Sequence, residues 1–343
     1  MAIQREIWEQ EIVENLWPAN PHLNLCVNAD QYVLQGKVVH IPNAGAAPVT
    51  QKNRTSLPAS VARRQDIDVT YALDEYTSDP VLIVNADKAE LSYDKRSSVL
   101  ADTQQSINES VGVMMLYNWA PMASRILRTS GAAVPAHVGI GSRRKFALSD
   151  LKKAQKQFNI DNVPTDGRYA IIDAEMMDQL TDQLTETQYR DFSSVIDPAT
   201  GVVGRLYGFT LLSRSQVLSY VGLNAVEPGT AVSPATCAAA LCWHTSSVER
   251  ALGAVNFFEK EGDPQYYGDI YSALVRLGGR IRRSDGKGVL AIVQGAESTP
   301  WASGTKYIAG QFVVSNVLTY ICIADHTASA AFETDAAKWK IVE

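Results

Sequence analysis

The stretch "NIDNVPTDGRYAIIDAEMMDQL", residues 159–180, followed by "GVVGRLYGFTLLSRS", residues 201–215, decides the fold. In the first, Pro164 to Gly167 reads as a turn, because proline presets φ there and glycine accepts backbone angles that other residues resist. The apolar run 169–172 that follows is short and bounded by turn signals, which marks a strand, and a helix is expected from about Ala174. In the second, Gly201, Gly204 and Gly208 sit beside a strand ending in Ser213 and Ser215, so tight turns and close backbone approach are expected. Just upstream, "ALSDLKKAQKQFNI" at 147–160 reads as a helix capped by Ser149, with Leu151, Ala154 and Phe158 on its buried face.

Working outward, Ile3, Ile7, Trp8, Ile12 and Leu16 recur at helical spacing with acids on the other face, and Pro18 marks the end of that helix. Between residues 30 and 85, "QYVLQGKVVHIP" and "QDIDVTYALDEYTSDPVLI" read as strands around a small, polar, proline-broken segment. They predict a long two-stranded arm. Such a ribbon is marginal alone in water, so residues 43–65 are expected to be ordered by neighbouring subunits. A long helix is expected over 94–118, with Leu100, Ile107, Val111, Met114 and Met115 along one face and Pro121 as its stop. Residues 235–263, "ATCAAALCWHTSSVERALGAVNFFEKEGD", pass from small apolar residues into a helix-like run; residues 289–293 read as an apolar strand. The fold class is α+β.

The chain has 343 residues, too many for one simple core of ~100–150, so two or three cooperating units are expected. A hydrophobic share of 46% with 20% charged residues predicts folding throughout. The net charge of −6 argues against a nucleic-acid binder, which needs concentrated Lys and Arg. The basic runs "ARRQ" (62–65), "SRRKF" (142–146) and "GRIRRSDGK" (279–287) read as solvated loops or subunit contacts. Four scattered cysteines, Cys26, Cys237, Cys242 and Cys322, make no disulfide framework and suit a reducing compartment. No apolar run approaches the ~20 residues of a membrane span, and the charged start is unlike a secretion signal, so folding in the cytoplasm is expected.

Chemistry-bearing patterns are sparse. His244 with Cys242 and Cys237 fits no common zinc spacing and reads as structural. There is no Gly-x-Ser-x-Gly, "GIGSRRK" at 139–145 lacks the phosphate-loop spacing, and acid pairs such as Asp74–Glu75 are common in solvated loops. No catalytic residue, metal ligand or cofactor is assigned. At the other end, "QGAESTP" (294–300) reads as a polar linker at a domain boundary. Two short strands flanked by aromatic residues follow.

The order of amphipathic arm, long ribbon, long helix and mixed α+β body resembles the major capsid protein of tailed bacteriophages, whose shell fold encapsulins also use. The local motifs are similar too: Pro164-x-x-x-Arg168 leading into a strand, then Gly201-x-x-Gly204-x-x-x-Gly208-Phe209 running into a serine. The resemblance implies an N-terminal arm (1–28), an extended loop over a neighbouring subunit (29–85), and peripheral and axial domains (86–295) with the long helix as a spine. It further implies copies of the chain in hexamers and pentamers, closing an icosahedral shell that encloses double-stranded DNA without sequence-specific binding. Portal, scaffold and decoration proteins are the other implied partners; the shell would be assembled in the host cytoplasm.

Residues 296–343 resemble small carbohydrate-binding modules related to chitin- and cellulose-binding domains, through Trp301, Gly304-Thr305-x-Tyr307, Gly310-x-x-Val313 and Tyr320-x-Cys322. That likeness implies surface glycans as partners, with Trp301, Tyr307, Tyr320 and Trp339 as candidate contacts; Trp339 also reads as a core residue. A disulfide-free unit of ~45 residues is near the lower limit of independent stability, so it is expected to lean on the shell while facing outward. Two other readings stay open: a carbohydrate-active enzyme with a binding tail, and an encapsulin-like compartment.

Overall fold

The computed structural model describes residues 2–34, 37–43, 52–53, 67–84, 95–197, 200–295, 298–316 and 318–342. Its centre is the strand Cys237–His244, all eight of whose residues are buried. Along one edge it pairs antiparallel with Val289–Val293, which in turn pairs parallel with Ile126–Arg128. Along the other it pairs antiparallel with Arg168–Asp173 and with Leu218–Val221. The hairpin Val202–Leu206 and Phe209–Arg214 extends the sheet beyond Arg168–Asp173.

Successive strand residues face opposite sides, and here both sides are dry. Cys237, Ala239, Leu241 and Trp243 join a core with the N-terminal and long helices, together with Val289, Ala291 and Val293. Ala238, Ala240 and Cys242 join a second core with Leu290 and Ile292. That second core is closed by helix Leu148–Ile160, through Leu151, Ala154 and Phe158, and by helix Ala174–Thr181, through Met176, Met177 and Leu180. Asp173 starts the latter helix, its Oδ1 accepting from the Met176 N–H at 2.7 Å.

Beside this block lies the hairpin Val248–Asp263 and Gly268–Ile281. The long helix Lys95–Asn118 and the N-terminal helix Ala2–Ala19 pack on it, the latter through Ile12 and Leu16. At the helix crossing a Cβ on Gly279 would meet Met115 and Trp119, so only glycine lets them approach. The Trp119 indole donates to the Glu249 carbonyl at 3.1 Å.

Several expectations need correction. The helix-like run after Val248 is a 16-residue strand. Register shifts at Leu252/Val255 and Lys260/Asp263 break its alternation and leave apolar spacing that resembles a helix. Ser149 does not cap its helix: it is exposed, and Asp150 accepts from the Ala147 N–H at 3.1 Å instead. Residues 201–215 form two strands, not one, joined by Tyr207 and Gly208, both at positive φ (49° and 78°) as a two-residue hairpin turn requires.

The arm also differs. Val38–Asn43 and Ile67–Ala72 pair as a ribbon, with Val33–Leu34 added at its edge. Asp74–Thr77 and Val81–Val84, read as a continuation of the arm, pair instead with Gly268–Ile281 in the body. Of the segment 43–65, residues 44–51 and 54–65 lie outside the described residues, and "ARRQ" with them. The other basic runs are mixed: Arg143 is fully buried, and Arg280 and Arg282 hold Glu249, itself 1% exposed, at 2.7 and 3.2 Å, while Arg144 and Arg283 are exposed as a solvated run would be.

Candidate assembly and glycan-contact surfaces

The C-terminal residues form a four-stranded sheet in the order Ser298–Pro300, Phe312–Ser315, Leu318–Cys322, Trp339–Ile341. A smaller pair, Lys306–Tyr307 with His326–Thr327, lies beside it. Period-two alternation divides the sheet's residues between two neighbours. Phe312, Ile321 and Val342 join the main core of the body. Val313, Cys322 and Trp339 face the other way and make the module's own core with Tyr307 and Ala328.

That second core is built from rings. Phe332, at the start of the 3-10 helix Phe332–Lys338, sits 4.6 Å from Tyr320, 5.6 Å from Trp339 and 5.8 Å from Trp301 between ring centres. Tyr307 meets Trp339 edge-on at 5.2 Å, and His326 meets it at 5.1 Å. Edge-to-face and offset arrangements of this kind stabilise by ~0.5–1.5 kcal/mol per pair beyond burial. Tyr307 is 5% and Trp339 7% exposed, so neither presents a ring face to a ligand. The Tyr307 hydroxyl accepts from the Ala302 N–H at 2.9 Å. Trp301 and Tyr320, both half-buried, keep part of their rings at the surface beside the exposed Leu318 and Ile341. The sequence reading missed Phe332, the ring that joins the other three. The apolar residue in "AAFETDAAKW" was its only signal.

The described start of the segment read as a linker is held by the body. Gln294 and Gly295 are buried, and the Gly295 N–H donates to Thr129 Oγ1 at 2.9 Å. The module then seats on the loop 136–142. Gly141 and Gly310 touch backbone to backbone with no room for a Cβ on either. Next to them the Arg143 guanidinium lies 4.4 Å from the centre of the Phe312 ring.

Elsewhere the candidate chemistry disperses. Cys237 and Cys242 point into different cores, and both His244 nitrogens are engaged, with Asp166 O at 2.9 Å and Ser246 Oγ at 2.8 Å. Burial pushes the Cys242 thiol up to about 12. Of the glycines of "GIGSRRK", Gly141 meets Gly310 of the module, and Gly139 packs on the carbonyls of Pro234 and Thr236. Among the described residues, no three His, Cys, Asp or Glu side chains gather as a metal site would require, and no helix is long and apolar enough to cross a membrane.

No protein-family model and no curated protein matches the sequence. Solved structures do. The capsid of Ralstonia phage GP4 is similar over 81% of this chain and 89% of its own, at 13% identity and a TM-score of 0.56. The head structure of Helicobacter pylori bacteriophage KHP40 covers 81% of this chain and 90% of its own, at 11% identity and a TM-score of 0.55. The capsid of cyanophage P-SCSP1u, at 19% identity, covers 78% and 85% with a TM-score of 0.52. The polypeptide path through the long helix, the long hairpin and the doubly covered sheet is thus the bacteriophage capsid-shell fold.

Proposed function

We propose that the chain is a major capsid subunit, assembling with copies of itself into hexamers and pentamers of an icosahedral shell around phage double-stranded DNA. The observation that carries this reading is the likeness to phage capsid and head structures over about four-fifths of the chain. The ribbon of Val38–Asn43 with Ile67–Ala72 supports it: it packs through Val39 and the adjoining Leu73 on Ala251, while a two-stranded extension of this kind gains stability from a covering neighbour. The net charge of −6 suits a wall that contains DNA without gripping it. The role is structural, without catalysis, and its place is the virion capsid; portal, scaffold and decoration proteins would be further partners. Purified protein examined by sedimentation and negative-stain microscopy should form shells or capsomers. A monomer at every concentration would overturn the reading.

The module is read as outward-facing, with weak glycan contact through Trp301 and Tyr320, multiplied by the many copies on one particle. Tyr307 and Trp339 act as its core. Retention of assembled particles on chitin or cellulose, lost on Trp301→Ala, tests this. Particles that pass unretained would remove the glycan role and leave the shell reading intact.

A further inference from the structure

We propose that the C-terminal module is a built-in brace of the body, and that Arg143 is the pin of the joint. This rests on contacts within one chain and stands whether or not the shell reading does.

Arg143 is fully buried. Burying a guanidinium is costly unless its donors are satisfied, so whatever supplies the acceptors is held in place by that need. The acceptors come from two separate loops. Nη1 donates to Ile140 O at 3.0 Å and Ser142 O at 3.3 Å, in its own loop. Nη2 donates to Pro234 O and Thr236 O, both at 3.1 Å, in the turn that leads into the central strand Cys237–His244. The module's Phe312 lies over the remaining flat face at 4.4 Å. Arginine's planar fork allows this division, with donors at the rim and an aromatic ring on the face.

Three pieces therefore meet on one side chain. Two further contacts close the joint: the Gly141–Gly310 backbone contact, and the approach of Val342 O to Gly222, whose own carbonyl accepts from Arg128 Nη2 at 2.7 Å. Phe312, Ile321 and Val342 fill the main core from the module side. A loosely tethered binding unit would need none of this. Because coupling between sites is reciprocal, lifting the module should loosen the loop 136–142 and the turn 233–236, and loosening either should lift the module.

Amide hydrogen exchange followed by mass spectrometry on the full chain tests the proposal. Phe312→Leu should speed exchange in peptides covering 136–142 and 233–236 by roughly tenfold, the scale of one desolvated cation–π contact, and leave 248–281 unchanged. Arg143→Lys keeps the charge but loses the fork; it should speed exchange in 310–322 by a similar factor. Truncation after Gly295 should reproduce the loop effect if the shortened chain folds; the two point variants decide the matter if it does not. Unchanged exchange at all three segments, or a rise spread evenly over the chain, would overturn the proposal.

Discussion

The body sheet and the module sheet obey the same alternation and meet different surroundings. In the body, both faces of Cys237–His244 are covered by helices of the same chain, so every residue of the strand is buried, and all but the hydrogen-bonded His244 are small or apolar. In the module, one face borrows the body's core through Phe312 and Ile321, and the other is covered by rings gathered around Phe332. The difference teaches how little a small sheet can do alone. With only the short 3-10 helix Phe332–Lys338 among its described residues, the module uses large aromatic side chains on one side and the body on the other.

The contrast breaks most visibly at Trp243. Fully buried, its indole donates to Leu25 O at 2.9 Å and its ring lies 5.8 Å from Trp119. Trp243→Ala should cost ~3–5 kcal/mol in urea unfolding of the subunit, with the main cooperative transition shifted as one. A cost below about 1 kcal/mol would mean that the two-sided core is less tightly joined than its packing implies.

Phe332→Ala should be smaller and local. Removing a half-buried ring costs about 2 kcal/mol, and here it detaches Trp301 and Tyr320 from Trp339. Protease cutting within 298–342 should rise while the body resists. Equal sensitivity in both regions would erase the distinction between them.

Acid offers a finer probe of the body. Burial, with the charge of Arg214 adding to it, lowers His22 from its usual 6.5 to about 3. The unfolded chain takes up a proton near 6.5 while the folded chain does not, so stability falls as pH drops from about 6.5 towards 3. This one group can contribute up to ~1.4 kcal/mol per pH unit. His22→Gln should flatten that part of the pH profile in denaturant titrations at pH 7, 6 and 5. Parallel slopes for the two proteins would show His22 to be protonated when folded.

The smallest effect belongs to the module's outer edge. Leu318 is 41% and Ile341 50% exposed, so Leu318→Thr and Ile341→Thr should each change subunit stability by less than about 0.5 kcal/mol. A larger loss seen only in assembled particles would sharpen the comparison, by showing that a neighbour covers this edge.

Legibility followed the same division. Strands buried on both faces announce themselves as continuous apolar runs: the expected 169–172 lies within the strand Arg168–Asp173, and 289–293 matches Val289–Val293. Helices with a repeating apolar face, Ala2–Ala19, Lys95–Asn118 and Leu148–Ile160, were equally plain. The long strand Val248–Asp263 was not, because the bulges at Leu252/Val255 and Lys260/Asp263 shift its alternation. Asp74–Thr77 and Val81–Val84 were misplaced because a strand's own residues do not say which partner it pairs with. At the module, the aromatic residues were visible but their division into core and surface was not, since that depends on Phe332. Arg143 was hidden altogether: in "SRRKF" nothing distinguishes a fully buried arginine from a solvated one.

The central position of Cys237–His244 also sets a timetable for synthesis. The strands Arg168–Asp173 and Leu218–Val221 precede it in the chain, yet both need it as a partner. Ile126–Arg128 waits longer still, for Val289–Val293. At ~5–20 residues per second, the ribosome leaves Arg168–Asp173 with that edge unpaired for several seconds, and a protein made in high copy leaves many such edges open at once. Residues 120–236 of the nascent chain are therefore where this protein is most exposed to mispairing, and slowing translation there lengthens the exposure.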